Sequence, residues 1–147
     1  MNNLTKQKLH RSLGFLINAI AHSMRIALED ELKPFNMSTT QWLVIQGVSG
    51  CNGAIQSEVG KITRLDNATI TREIDKLENA GLLQRTRNQN DRRVQIVRLT
   101  EKGNQLLPEI TKAAEKINIR ALAGMDGAEI SGFIANLHLI VENLHKK

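Results

Sequence analysis

The sequence is poor in the groups that staple, stack or anchor a chain. One cysteine, Cys51, in 147 residues leaves no disulfide framework and points to a reducing compartment in which a lone thiol is inert. Tyrosine is absent, and three phenylalanines with one tryptophan are too few for the base-stacking platforms that bind single strands or RNA. Two prolines and ten glycines, scattered along the chain, exclude a low-complexity linker. The longest uncharged apolar stretch, Leu13 to Ala21, is broken by Asn18 and is too short to cross a bilayer, so no membrane partner is expected. Met1 to His10 lacks the successive cationic, apolar and small-residue regions of an export signal, and a cytoplasmic location is expected. No nucleophile with its base, paired-carboxylate site or glycine-rich phosphate loop can be picked out, so the chain is not expected to be an enzyme. The four histidines (His10, His22, His138, His145) form no HxxxH pair, and neither a metal nor a cofactor is expected.

What is present is an ordinary globular balance, 41% apolar and 24% charged, in a chain of single-domain length (1–147). The charge is uneven. Twenty Lys+Arg against fifteen Asp+Glu give +5, and the stretch from Gln84 to Arg98 holds Arg85, Arg87, Arg92, Arg93 and Arg98 against Asp91 alone. An anionic partner is implied, and the locality of the charge favours nucleic acid.

From Thr5 to Lys33 the residues Leu9, Leu13, Leu16, Ile17, Ile20, Met24, Ala27 and Leu28 recur at three- and four-residue steps, which predicts one long amphipathic helix ended by Pro34. At about 40 Å it is longer than one small lobe can cover, so part of its stripe is expected to meet a second chain. Ser38 with Gln41 reads as a capping box opening a helix through Trp42, Val44 and Ile45, and Gly47 to Gly53 reads as a loop. Ala54 to Ile62 has helical spacing, Thr63 to Leu65 is a brief turn, and Asp66 or Asn67 caps a helix that runs to Asn79 and stops at Gly81. In that helix Ile70, Ile74 and Leu77 form the buried stripe, with Ala68, Thr69, Arg72 and Lys76 opposite and Thr71 and Asp75 on the flanks. Leu83 to Arg87 and Val94 to Leu99 then read as strand, polar turn, strand. Thr100 with Gly103 begins a further helix in which Pro108 predicts a kink or a start just before the proline. Asp126 with Glu129 forms another capping box, followed by Ile130, Phe133, Ile134, Leu137, Ile140 and Leu144 on one stripe.

The expected fold is therefore mainly α with one small β-hairpin wing: a winged helix-turn-helix. The major groove of duplex DNA admits one helix, and Arg72 can reach guanine acceptors or phosphates while Asn67, Thr69 and Thr71 offer short donors and acceptors. Lys76, Gln56 and the run Ser38, Thr39 and Thr40 are further candidate DNA contacts, and a hairpin tip with Arg92 and Arg93 suits the backbone or the minor groove. Two alternatives use the same elements otherwise: a winged helix that binds protein, and a cofactor-free enzyme in a cleft between dimer helices.

The stretch Ile55 to Gly103 resembles the core of the MarR (multiple antibiotic resistance regulator) family. The matching motifs are Thr71-Arg72, Asp75 to Leu77 with Gly81-Leu82-Leu83, the wing Asp91-x-Arg93, and Leu99-Thr100-Glu101-Lys102-Gly103. The resemblance implies a homodimer on a pseudopalindromic operator, usually a repressor, with residues 37–100 as the DNA-binding lobe and 5–33 and 101–147 as dimerisation helices. It implies that Asp91 positions the wing and Arg93 enters the minor groove. It also implies a small-molecule pocket where the first helix meets the lobe, and Phe15, Asn18, His22 and Arg25 fall there on one helical stripe, with Phe35, Met37 and Trp42 on the apolar side. A small aromatic or anionic effector would suit those groups. Trp42 suits the core better than a ligand platform, because it sits on an apolar helix with Val44 and Ile45. Cys51 lies in a loop, away from the first helix where the family's peroxide sensors keep their reactive cysteine.

Overall fold

The computed structural model describes residues 12–50, 53–88 and 94–146. Helix α1 (Leu13–Leu32) passes through a 3-10 turn (Lys33–Phe35) into α2 (Thr39–Ser49). Strand β1 (Ala54–Ile55), α3 (Gln56–Thr63) and α4 (Asn67–Asn79) follow, then β2 (Leu83–Arg87), β3 (Gln95–Leu99), α5 (Glu101–Ala121) and α6 (Gly127–His145). The part of the first predicted helix before Ser12 lies outside the described residues.

The local signals act as the sequence predicts at most boundaries. Ser38 and Gln41 close a reciprocal capping box on α2, and Asp126 and Glu129 do so on α6. Pro34 sits in the 3-10 turn that ends α1. Helix α4 ends in a Schellman arrangement: Gly81 takes φ +71°, the Leu82 N–H donates to the Leu77 carbonyl at 2.9 Å and the Gly81 N–H to that of Glu78 at 2.9 Å.

Three expectations are corrected. Gly47 does not open a loop; α2 runs on to Ser49, because Gly47 is where α2 and α3 touch, and a Cβ there would sit 3.2 Å from Val59 and 3.1 Å from Thr63. Ala54 and Ile55 are not helical but pair antiparallel with Val97 and Ile96, which makes the sheet three-stranded in the order β1-β3-β2. Pro108 does not start α5, which begins at Glu101 and runs on through the proline. Both Pro108 and Asn104 lie on the exposed side, where water can take up the carbonyl that the missing N–H leaves free.

The core lies inside the winged lobe and beneath α5: Leu32, Val44, Ile45, Val48, Val59, Ile70, Ile74, Leu77, Leu83, Val97 and Ile110 are all fully buried. Helix α1 packs along α5, where Lys116 Nζ lies 2.8 Å from Glu31 Oε1. By contrast α6 buries none of its residues, and among the described residues no element packs extensively against it.

Thr100 and Gly103 knit the lobe to α5. The Thr100 N–H donates to the Leu82 carbonyl at 3.1 Å, its hydroxyl donates to the Gly81 carbonyl at 2.6 Å and accepts from the Gly103 N–H at 3.1 Å, and Lys102 Nζ donates to the Ala80 carbonyl at 2.8 Å. A Cβ on Gly103 would overlap the Leu82 carbonyl. Gly103→Ala is therefore expected to lower stability by about 2 kcal/mol or more, read as the urea midpoint, because backbone must move to admit the methyl. Gly127→Ala, where a Cβ meets nothing within 4 Å, is the control and should be neutral; equal losses in the two would refute the close approach.

Candidate nucleic-acid interface

The turn between α3 and α4 is short because Arg64 takes a left-handed conformation, φ 57°, at the end of α3. Asp66 then caps α4: its carboxylate accepts from the Thr69 N–H at 2.9 Å and the Thr69 hydroxyl at 2.7 Å. Those bonds hold the Asp66 carboxyl below its ordinary value of 3.8. Asn67, Thr71, Arg72 and Lys76 are exposed along α4, and Thr69 is half-buried.

The short hydroxyls are already engaged. Thr69 gives its proton to Asp66, while Thr71 donates to the Asn67 carbonyl at 2.8 Å and accepts from Gln56 Nε2 at 2.6 Å. Gln56 thus ties the start of α3 to α4 and joins the same surface as Asn67 and Thr71. Arg72 and Lys76 converge on a residue that the apolar pattern passes over: Glu73 Oε1 lies 3.2 Å from Arg72 Nε and 2.9 Å from Lys76 Nζ. Ser38 spends its hydroxyl on the α2 cap, where it accepts from the Gln41 N–H at 3.1 Å. Thr40 is half-buried beside it, and Thr39 faces a cavity, described below, instead of the α4 surface.

The base of the wing is pinned to α4 by one arginine. Arg85 Nη2 meets Asp75 Oδ1 at 2.5 Å and its Nη1 meets Glu78 Oε2 at 2.5 Å, with the Arg85 N–H donating to Glu78 Oε1 at 3.1 Å. Partial burial disfavours the guanidinium charge, but the bonds to Asp75 and Glu78 outweigh it and raise the pKa. The Arg85 side chain is only 18% exposed, so it adds little to the positive surface that the sequence suggests. Arg98 Nη1 donates to Thr86 Oγ1 at 2.7 Å across the two strands, and Arg87 is exposed toward the tip. Asp91, Arg92 and Arg93 lie outside the described residues, as does Cys51.

A cavity of about 320 Å³ opens between α1, α2 and α5, lined in part by Arg25, Leu28, Thr39, Trp42, Ile117 and Asn118. Of the predicted pocket residues Arg25 and Trp42 border it, and Phe15, Asn18 and His22 do not. His22 Nδ1 stands 3.4 Å from Arg25 Nη2, and Arg25 Nη1 pairs with Glu29 at 2.7 Å. Met37 is buried in the core and Phe35 borders a separate groove with Pro34 and Lys116. The Trp42 indole N–H is buried without a hydrogen-bond partner. The α5 side of the cavity escapes a sequence reading because only tertiary packing brings Ala114, Ile117 and Asn118 to α1. Among the described residues no cluster of His, Cys, Asp and Glu could hold a metal, and no helix is long and apolar enough to cross a membrane.

Residues 28–110 match the family described as transcriptional regulator SarA/Rot. Among solved structures the chain is similar to a putative MarR family transcriptional regulator from Listeria monocytogenes complexed with 26mer DNA. The identity is 30% and the TM-score 0.83, over 91% of this chain and 89% of that one. A MarR family regulator from Silicibacter pomeroyi is 21% identical with a TM-score of 0.83 over 99% of both chains. CouR from Rhodococcus jostii RHA1, bound to p-coumaroyl-CoA, is 24% identical with a TM-score of 0.82 over 90% and 93%. With a family match over more than half its length and this fold, the chain belongs to the MarR family of DNA-binding winged-helix transcriptional regulators, its residues 28–110 following the SarA/Rot pattern.

Proposed function

We propose that the chain is a cytoplasmic homodimeric repressor that places α4 of each protomer in successive major grooves of a pseudopalindromic operator. The observation that carries this is the surface of α4, where Asn67, Arg72 and Lys76 stand exposed on a helix whose opposite face is fully enclosed. In this scheme residues 37–100 form the DNA-binding lobe, Gln56 flanks the reading helix, Ser38 and Thr40 at the start of α2 are further contacts while Thr39 faces the cavity, Asp91 positions the wing, and Arg92 and Arg93 reach the backbone and minor groove. Binding measured by anisotropy on a duplex selected from a random library is expected to weaken by about 1–3 kcal/mol on Arg72→Ala, with relaxed preference at one base pair. With roughly eight phosphate contacts per dimer, affinity should also fall by about four orders of magnitude over a roughly fourfold rise in salt. Salt-independent binding, equal in wild type and variant, would sink the assignment.

The dimer is supported by what one chain leaves uncovered. Helix α6 exposes Phe133, Ile134, Leu139, Val141 and Leu144, and α1 exposes Leu13, Leu16, Ile17 and Ile20. A monomer rarely leaves so much apolar surface in water. The segments 5–33 and 101–147 are accordingly the proposed dimerisation helices. Ile134→Asp is expected to shift the chain from dimer to monomer in sedimentation and to weaken operator binding by roughly tenfold or more, since each protomer then holds only one half-site. A wild-type chain that sediments as a monomer while binding tightly would contradict this.

The cavity at Arg25 and Trp42 is the proposed effector site, for a small aromatic or anionic molecule, with His22 beside Arg25 and with Phe15 and Asn18 farther along α1. Its lining is largely apolar and one guanidinium borders it. Titrating phenolic carboxylates into the protein–operator complex is expected to release DNA, with a midpoint shifted upward by roughly tenfold in Arg25→Ala. Release that is undiminished in the variant would remove Arg25 from the site.

A further inference from the structure

Glu73 is the only charged side chain among the described residues that the fold buries, at 4% exposure. It sits on the inward side of α4 with Ile70, Ile74 and Leu77, all enclosed. A carboxylate there gives up its water, a cost that an apolar side chain of similar size would not incur. Its Oε2 has no hydrogen-bond partner, and its Oε1 has two, Arg72 Nε and Lys76 Nζ. The position is therefore poorly suited to the core and well suited to two exposed cations.

The geometry of the Arg72 contact is specific. Lys76 is a normal helical neighbour of Glu73 at i+3, but adjacent side chains on a helix point about 100° apart and do not face each other. Arg72 nevertheless reaches Glu73, and it does so through Nε. Among the described residues neither Nη1 nor Nη2 of Arg72 makes a hydrogen bond, and the side chain is 66% exposed. Those two N–H groups form the parallel pair that can meet O6 and N7 of guanine.

We infer that Glu73 is a positioning residue for sequence readout: its buried carboxylate clamps Arg72 at Nε, so that the guanidinium presents its terminal edge to a base instead of swinging to the nearest phosphate. Lys76 supplies the second cation that neutralises the buried charge. The inference rests on α4 being the helix that reads the duplex, as proposed above. A clamped arginine has already lost the rotamer freedom that binding would otherwise remove, and an arginine spent on phosphate carries no sequence information.

A duplex selected by the wild-type chain from a random library and a scrambled duplex of equal length serve as probes for Glu73→Gln and Glu73→Met. Methionine is unbranched, helix-forming and of similar size, so it keeps the core filled. In both variants the ratio of affinities for selected and scrambled duplex is expected to fall by roughly tenfold, while affinity for the scrambled duplex stays level or rises. A merely structural role would lower both affinities together and leave the ratio unchanged, which overturns the inference, as does loss of helical structure in both variants. In an Arg72→Ala background the Glu73 substitutions should leave the ratio where it is; a further fall there also overturns it. If the wild-type chain selects no duplex, the reading role of α4 fails and Glu73 fails with it. If it selects one and the variants keep the ratio, Glu73 alone is removed.

Discussion

Everything that positions the candidate interface depends on one close approach, Gly103 against the Leu82 carbonyl. The left-handed Gly81 turns the chain out of α4, Leu82 and Leu83 carry it into the wing, and Thr100 brings it back to the same spot to begin α5. Three elements therefore share one joint of a few residues. The Thr100 hydroxyl serves both sides of it, donating to the carbonyl of Gly81 and accepting from the N–H of Gly103. A side chain at Gly103 would meet the Leu82 carbonyl, so backbone must shift and the relation between α4 and α5 changes with it. The motif Leu99 to Gly103, which carries much of the family resemblance, thus has a mechanical meaning.

The arginines of the wing divide by depth. Arg85, near the base, is held between Asp75 and Glu78 and spends its charge on fixing β2 to α4. Arg98 bridges the two strands through Thr86. A cation held by two carboxylates at 2.5 Å contributes little to the long-range field, because its charge is matched at short distance. Among the described cations of this lobe Lys61, Arg64 and Arg87 are exposed with no ion pair, and Arg72 and Lys76 share the single carboxylate of Glu73, so these weigh more in the positive potential than Arg85 does. Counting arginines along the sequence overstates how many of them are free of an ionic partner, since Arg85 is held by Asp75 and Glu78.

Elements with local causes were legible in the sequence. The capping boxes at Ser38 and Asp126, the cap at Asp66 and the stop at Gly81 all act through residues within three or four positions, and the structure places them as the sequence predicts. Features set by distant contacts were not. Gly47 looks like loop punctuation until Val59 and Thr63 arrive against it, and Ile55 looks helical until Ile96 pairs with it. Glu73 escapes the pattern because the apolar stripe of α4 is complete without it, and nothing in a period of 3.6 residues distinguishes a carboxylate turned inward from one at the edge. The α5 wall of the cavity was invisible for the same reason: Ile117 and Asn118 are more than eighty residues from Arg25 in the chain.

Helix α5 joins the two halves of the proposed mechanism. Its first turn carries Gly103 on the joint with α4 and, about 20 Å further along at some 1.5 Å per residue, it borders the cavity through Ala114, Ile117 and Asn118. A continuous helix transmits displacement along its length with little loss, and α5 remains continuous through Pro108. A molecule that wedges α1 from α5 at Arg25 and Ile117 would therefore tilt the rod whose other end carries Gly103, and the tilt reaches α4 through the Leu82 carbonyl. It can weaken DNA binding only to the extent that it binds the tilted arrangement more tightly than the DNA-competent one, and DNA must then weaken its own binding by the same factor.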